Sequence, residues 1–181
     1  MLSFKISLQT VTVCSFSLNP HQELTIENPL LWSHYADEHR GLCLVYVISE
    51  EFLNDKNKII GIAPVEYGNN LLKEFFIDAF PTKKNAIEHF MEQLVKKTLT
   101  IKSSNWKYES EIRIIREKEG PFQIQKSHLK QICFGLNTPE SDIKLIRELT
   151  EKLDYSVEFY KMERCEKSDF GIKSVEYNKV N

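Results

Sequence analysis

Two short stretches concentrate side chains able to do chemistry: Leu31-Trp32-Ser33-His34-Tyr35-Ala36-Asp37-Glu38-His39-Arg40-Gly41 and Trp106-Lys107-Tyr108-Glu109-Ser110-Glu111-Ile112-Arg113. Between them they carry both tryptophans, two of the five histidines and a dense set of charges. In the second, read as a strand over 107–115, Glu109, Glu111 and Arg113 fall on one face and Tyr108, Ile112 and Ile114 on the other. Two carboxylates about 7 Å apart along a strand, with a guanidinium next in line, can have their pKa values driven apart. Like-charge repulsion raises one and the arginine lowers the other. That would separate a general acid or electrostatic stabiliser from an ion-paired spectator, with Trp106 and Tyr108 as pocket walls. The plain alternative is a solvated ladder of alternating charges.

The first stretch, read as a helix, puts Trp32, Tyr35 and His39 on one side and His34, Asp37 and Glu38 on a neighbouring one. In one reading Trp32 and Tyr35 anchor the helix to a sheet while His39 and Arg40 meet its negative C-terminus. In the other, His34 and Tyr35, or Tyr35 and His39, project into a cleft and hold a ligand. His34 and His39 are five residues apart and miss the i, i+4 geometry of zinc helices, so no metal site is expected.

The elements that must position these residues follow from local signals. Phe4, Ile6 and Leu8 alternate with polar residues, and Val11 and Val13 continue the pattern towards Asn19-Pro20, predicting an N-terminal strand. Asn28-Pro29 is an N-cap followed by proline at the first helical position, and Gly41 stands where a C-cap residue belongs, predicting a helix over 29–40. Leu42 to Ile48 is a nearly continuous apolar run and predicts a central buried strand. A strand interrupted by Gly61 and Pro64 is expected over 59–67. Helices are expected over 69–79 and 85–101, the second with a core stripe of Ile87, Phe90, Met91, Leu94, Val95 and Leu99. Beyond the strand at 106–116, short strands are expected at 122–125 and 131–135, a helix at 139–153, and strands at 155–161 and 171–177. Helices set among hairpin-capable strands give an α+β class: a single domain, 1–181, with a mainly antiparallel sheet and three to four helices.

Composition narrows the function classes. The chain has 181 residues, 41% of them hydrophobic and 28% charged, enough to bury one sizeable core. A formal net charge of -2 gives no global attraction to nucleic acid or an anionic membrane. Cysteines 14, 43, 133 and 165 show no CxxC spacing and are read as reduced thiols, three of them in apolar strand-like runs where cysteine packs as a small hydrophobe. Gln9, Thr10, Thr12, Ser15 and Ser17 interrupt the stretch from Leu8 to Leu18, so it lacks the apolar run of a signal peptide or membrane span. A cytoplasmic protein is expected.

Leu31-Trp32-Ser33-His34-Tyr35-Ala36-Asp37, then His39-Arg40-Gly41-Leu42-Cys43-Leu44, then Trp106 to Ile115, then Ile132-Cys133-Phe134-Gly135 resemble in order and spacing the bacterial family known as domain of unknown function 2971 (DUF2971). The resemblance covers about 14–165 and names relatives without naming a reaction. Members of that family usually begin with a further segment ending in an Asn-Asp-Pro turn, which is absent here. The resemblance therefore implies a shortened member, a weakened catalyst, and an uncovered sheet edge or apolar surface favouring a homo-oligomer. A fold-level analogy reaches to ADP-ribosyltransferase-like proteins, which bind a dinucleotide beside an aromatic and a Glu-x-Glu strand; Tyr35 and Glu109-x-Glu111 are similar in type.

Two functions are carried forward. The first is an enzyme that binds or processes a nucleotide, with NAD as its candidate cofactor: Glu111 is the electrostatic catalyst, Glu109 or Arg113 orients it, and Trp32, His34, Tyr35, His39 and Trp106 line the site. The second is a non-enzymatic binding or regulatory module, of the kind linked to phage defence or mobile elements, in which the same residues hold a helix onto a sheet. A clustered open cleft favours the first; a buried, fully paired network favours the second.

Overall fold

The computed structural model describes residues 11–18, 25–49, 52, 59–81, 86–117, 119–166 and 168–178. The strand pattern around Phe4, Ile6 and Leu8 lies outside the described residues. In chain order the elements are β1 (Val11–Ser17), α1 (Pro29–Tyr35), β2 (Leu42–Tyr46), β3 (Ile59–Pro64), β4 (Glu66–Tyr67), α2 (Leu71–Ala79), α3 (Ile87–Thr100), β5 (Ile101–Lys102), β6 (Glu111–Glu117), β7 (Leu129–Phe134), α4 (Glu140–Lys152), β8 (Glu158–Arg164) and β9 (Ile172–Glu176). Short 3-10 segments cover Thr25–Glu27, Ser104–Glu109 and Lys126–His128. The class is α+β as expected, and pairing is mainly antiparallel, with parallel pairs only at β4–β5 and β7–β8 among the described residues. The chain divides into two compact units: one draws on 11–18 and 59–120, the other on 25–49, 52 and 121–178.

In the first unit β6 is the middle strand, flanked by β1 and β3. Its sequence Glu-Ile-Arg-Ile-Ile-Arg-Glu buries Ile114, Ile115 and, unusually, Arg116. Pro64 ends β3, an outer strand, where its missing N–H interrupts no ladder. α2 begins at Leu71 rather than 69 because the Asn69 carboxamide is engaged elsewhere: its Oδ1 accepts from Ser103 Oγ, Ser104 Oγ and the Ser104 N–H. The core stripe expected on α3 needs correcting. Only Phe90 is buried in that helix, while Ile87 and Met91 are exposed. Phe90 is packed by Phe75, Phe76 and Phe80 at ring distances of 5.5 Å, and α2, which carries two of these rings, buries no residue of its own.

In the second unit the strand order is β2-β7-β8-β9. β7 alternates its side chains between two cores, as a strand covered on both faces must. Cys133 joins Trp32, Met162 and Ile172 on one side. Ile132 and Phe134 join Leu129 and Ile143 of α4 on the other, with Phe159 stacked on Phe134 at 6.0 Å. β2 was expected to be central, but it is an outer strand with half-buried or exposed residues; β7 and β8 are the inner strands. The expected strand at 122–125 is irregular, and Phe122 instead meets Phe52 edge-on at 5.8 Å.

Trp32 is the keystone of the first of these cores, 3% exposed, with its indole Nε1–H donating to the Ile26 carbonyl at 2.6 Å. Trp32→Phe removes the donor, leaves that carbonyl unpaired and opens a small void. A stability loss of about 2 kcal/mol is expected by denaturant titration.

Candidate functional site

The second sequence block does not form one strand. Ser103 caps a 3-10 segment through its hydroxyl, which accepts from the Asn105 N–H at 3.5 Å, and the segment ends at Ser110 in the left-handed region (φ 46°). Glu109 is therefore the last residue of that segment and Glu111 the first of β6, so the two carboxylates do not share a strand face as expected. They are nevertheless joined, through a residue that the sequence reading did not single out. Lys102 Nζ donates to Glu109 and, at 3.4 Å, to Glu111 Oε2. Arg113 grips Glu111 with two bonds, Nε to Oε1 at 2.9 Å and a terminal nitrogen to Oε2 at 3.2 Å, and sends its other terminal nitrogen to the Leu99 carbonyl at 2.8 Å.

This cluster holds two carboxylates and two cations, with Glu109 4% and Glu111 8% exposed. Burial alone would raise the Glu111 pKa, but hydrogen bonds from Arg113 and Ser15 and the charges of Arg113 and Lys102 outweigh it and hold the group at about 2. Glu111 is thus the arginine-clamped partner, not the raised one. The Glu111 backbone N–H donates to the Tyr67 hydroxyl at 2.8 Å, and burial beside these carboxylates raises the pKa of that phenol. Trp106 lies 6.0 Å from Tyr108 and under the Lys102 ammonium at 5.1 Å, which uses its face for a cation–π contact. Neither Lys102 nor Tyr67 has a sequence signal; both arrive from other elements.

The first block belongs to the second unit. The Asn28 cap is realised, its Oδ1 accepting from the Leu30 N–H at 3.0 Å, but α1 stops at Tyr35 instead of continuing to residue 40. Asp37, Glu38 and His39 then take three successive left-handed conformations, φ 46°, 51° and 67°. For side chains with a Cβ this costs about 1–2 kcal/mol per residue, so the surroundings must hold it. They do: His39 O accepts from Asn137 N–H at 2.9 Å, Gly41 O accepts from Gly135 N–H at 3.0 Å and from the Thr138 hydroxyl at 2.8 Å, and Asn137 Nδ2 reaches Glu38 O at 3.4 Å. Gly41 is no left-handed cap. A Cβ there would crowd the turn, lying 3.1 Å from the Ala36 Cα.

The structure therefore joins the first sequence block to Ile132-Cys133-Phe134-Gly135, while Trp106 to Arg113 belongs to the other unit. Within the turn, His39 folds back to stack on Trp32 at 6.4 Å, and its Nε2 lies 3.2 Å from Ser33 Oγ. Because that hydroxyl donates to the Pro29 carbonyl at 3.0 Å, it accepts from His39. Trp32 and His39 are packing residues here. His34 and Tyr35 meet edge-on at 6.5 Å and are exposed, Tyr35 to 64%. Asp37 and Glu38 are exposed beside them; Arg40 bonds Asp37 through two nitrogens at 3.0 and 3.2 Å and reaches Glu38 at 3.5 Å. The Arg40 hydrogen bonds hold the Asp37 carboxyl below its ordinary range.

Cys14, Cys43 and Cys133 are poor nucleophiles. Burial raises the Cys14 and Cys43 thiols and drives Cys133 up to about 12. Among the described residues no group of three or more His, Cys, Asp or Glu is placed to hold a metal, and no helix is long and apolar enough to cross a membrane.

A family model described as protein of unknown function (DUF2971) matches residues 31–114, just under half of the chain, from the start of the first block into β6. No curated protein and no solved structure matches the chain, so the analogy to ADP-ribosyltransferase-like proteins gains no support.

Proposed function

We propose, from the premise that the chain belongs to the DUF2971 family, that it is a non-enzymatic binding module whose recognition element is the exposed turn 34–40. The observation that carries this reading is the state of Glu111. A carboxylate held at about 2, clamped by a guanidinium and an ammonium, is a permanent and fully engaged anion at neutral pH. It has no proton to give, and its oxygens are already occupied. A catalytic acid or base is tuned towards working pH, not away from it. The turn has the opposite character: exposed rings and carboxylates on a backbone fixed from behind, which suits binding because little freedom remains to be lost.

The paired rings of His34 and Tyr35, next to the Asp37 and Glu38 carboxylates, suit a ligand with a planar or cationic face and hydrogen-bond donors at its edge. A nucleotide base has this chemistry, so NAD and a panel of nucleotides are the first probes. Thermal shift with these ligands, followed by product analysis, tests the reading. The expected result is binding without turnover, weakened about tenfold or more in Tyr35→Ala, while that variant's own stability stays within about 0.5 kcal/mol of the parent, as for exposed positions in general. Turnover of NAD that disappears in a folded Glu111→Gln variant would establish the enzyme instead.

A further inference from the structure

Three sulfur-bearing side chains meet in the Trp32 core of the second unit. Cys133 is fully buried and Met162 is 1% exposed. The Cys133 thiol donates to Met162 Sδ at 3.4 Å; the Phe134 carbonyl, at 3.9 Å, is its more distant acceptor. Cys43 supplies the third sulfur. It stands opposite Cys133 in the β2–β7 register and packs against the same cluster, so both side chains lie on one face of the sheet. The Gly135 N–H bonds the Gly41 carbonyl two positions along. That makes 43 and 133 another hydrogen-bonded pair, with Cα atoms about 5.5 Å apart. A single cysteine or methionine in a core is ordinary packing. Sulfurs from three neighbouring strands, with a thiol proton aimed at a thioether, make a set of soft donors.

We propose that Cys133, Met162 and Cys43 bind a soft monovalent metal ion, Cu(I), in place of the Cys133 thiol proton. Ligand type is the first reason. Thiolate and thioether sulfur select Cu(I), whereas a structural zinc ion takes four ligands and this set offers three. Charge is the second. A net charge is costly in so dry a core, and exchanging one proton for one monovalent ion adds none: the S–H bond breaks, an S–Cu bond forms and the proton leaves to solvent. A divalent ion on the same thiolate would leave a positive charge behind. Room is the third. With metal–sulfur bonds of roughly 2.3 Å, two ligands of a three-coordinate ion lie roughly 4 Å apart, so the 3.4 Å pair opens by about 0.6 Å. The unbranched methionine side chain can absorb that movement. Cys43, half-buried on the outer strand β2, gives the ion its way in. Burial, with Cys43 and Glu27 adding to it, pushes the Cys133 thiol up to about 12. The ion therefore displaces a proton at neutral pH, and its apparent affinity rises about tenfold per pH unit.

Anaerobic titration of the reduced full chain with Cu(I), in competition with a chromophoric Cu(I) chelator, tests this, with far-ultraviolet circular dichroism confirming the fold of each variant. The expected result is a single tight ion per chain, a proton released as it binds, and quenching of Trp32 emission in a Trp106→Phe background. Cys133→Ala is expected to weaken binding by about 100-fold or more, and Cys43→Ala by about tenfold or more, on the scale of losing the groups that support a metal. Met162→Leu, nearly volume-conserving, removes a sulfur without opening the core and weakens binding by about tenfold or more, which keeps the test open should Cys133→Ala misfold. Cys14→Ala and Cys165→Ala leave the affinity unchanged. A chain that takes no Cu(I) from the chelator overturns the proposal. So does binding indifferent to Met162→Leu, binding lost with Cys14 or Cys165, or an affinity that does not change with pH.

Discussion

Glu111→Gln is expected to lower the stability of the unit built around β6 by about 3 kcal/mol, the lower end of the cost of breaking a buried ion pair. Glutamine keeps the shape and one accepting oxygen, so the change isolates the charge. Without it, Lys102 and Arg113 lose a carboxylate that both engage, in a setting where Arg113 is only 18% and Lys102 25% exposed. Their partial access to solvent places the loss at the lower end of that range. For a unit of this size the melting midpoint falls by on the order of 10 °C. Trp106 lies in this unit and Trp32 in the other, so fluorescence of single-tryptophan variants reports the two separately. An unchanged Trp106 transition would show that the pairing contributes nothing and reopen a catalytic assignment for Glu111.

The same group sets an acid limb. Its folded pKa of about 2 lies below the ordinary value of 4.5, so the folded state binds the proton less readily than the unfolded chain. The stabilisation is fully present above about pH 4.5 and is lost as pH falls towards 2. A shift of this size corresponds to about 3 kcal/mol in all. The stability of Glu111→Gln should therefore converge on that of the parent at low pH, and parallel pH profiles would refute the assignment.

Local signals located most elements but not the partners that complete them. Asn28-Pro29 announced α1 because a cap acts within one turn, whereas its end at Tyr35 is fixed by contacts to Gly135, Asn137 and Thr138, about a hundred residues away. The period-two pattern of 106–116 mimicked one continuous strand. What bends the chain at Ser110 is tertiary: the Leu18 N–H donates to the Ser110 carbonyl at 2.8 Å, and the Ser17 hydroxyl reaches the Glu109 carbonyl. β2 read as central because an apolar run records burial, not strand order. The α3 stripe read as core because periodicity marks an apolar face without saying how much of it this fold covers. The two blocks are dense in polar chemistry, but their assignment to different units is a property of topology that residue types do not carry.

Gly135→Ala is expected to be the most damaging small substitution in the second unit. A Cβ built on Gly135 would lie 2.1 Å from the His39 carbonyl oxygen and 2.7 Å from its carbon, far inside contact distance and against backbone, so no side-chain rotation relieves it. Either β7 or the turn must move. The turn cannot move alone, because the same carbonyl accepts from Asn137 and the neighbouring Gly41 carbonyl accepts from Gly135 and Thr138. Overpacking together with the loss of two or three of these bonds amounts to about 3–5 kcal/mol, against less than about 1 kcal/mol gained by restricting the unfolded chain. Gly120→Ala is the internal control: its φ of 86° disfavours alanine, but nothing lies within 4 Å of the added methyl, so the cost is confined to about 1–2 kcal/mol of backbone strain. Denaturant titrations should rank Gly135→Ala well below Gly120→Ala, and Trp32 emission should change only in the former as the His39 stack is displaced. Equal losses, or the reverse order, would mean that the close approach of 135 to 39 does not hold the turn. The proposed recognition surface would then lose the fixed backbone on which the proposed binding role depends.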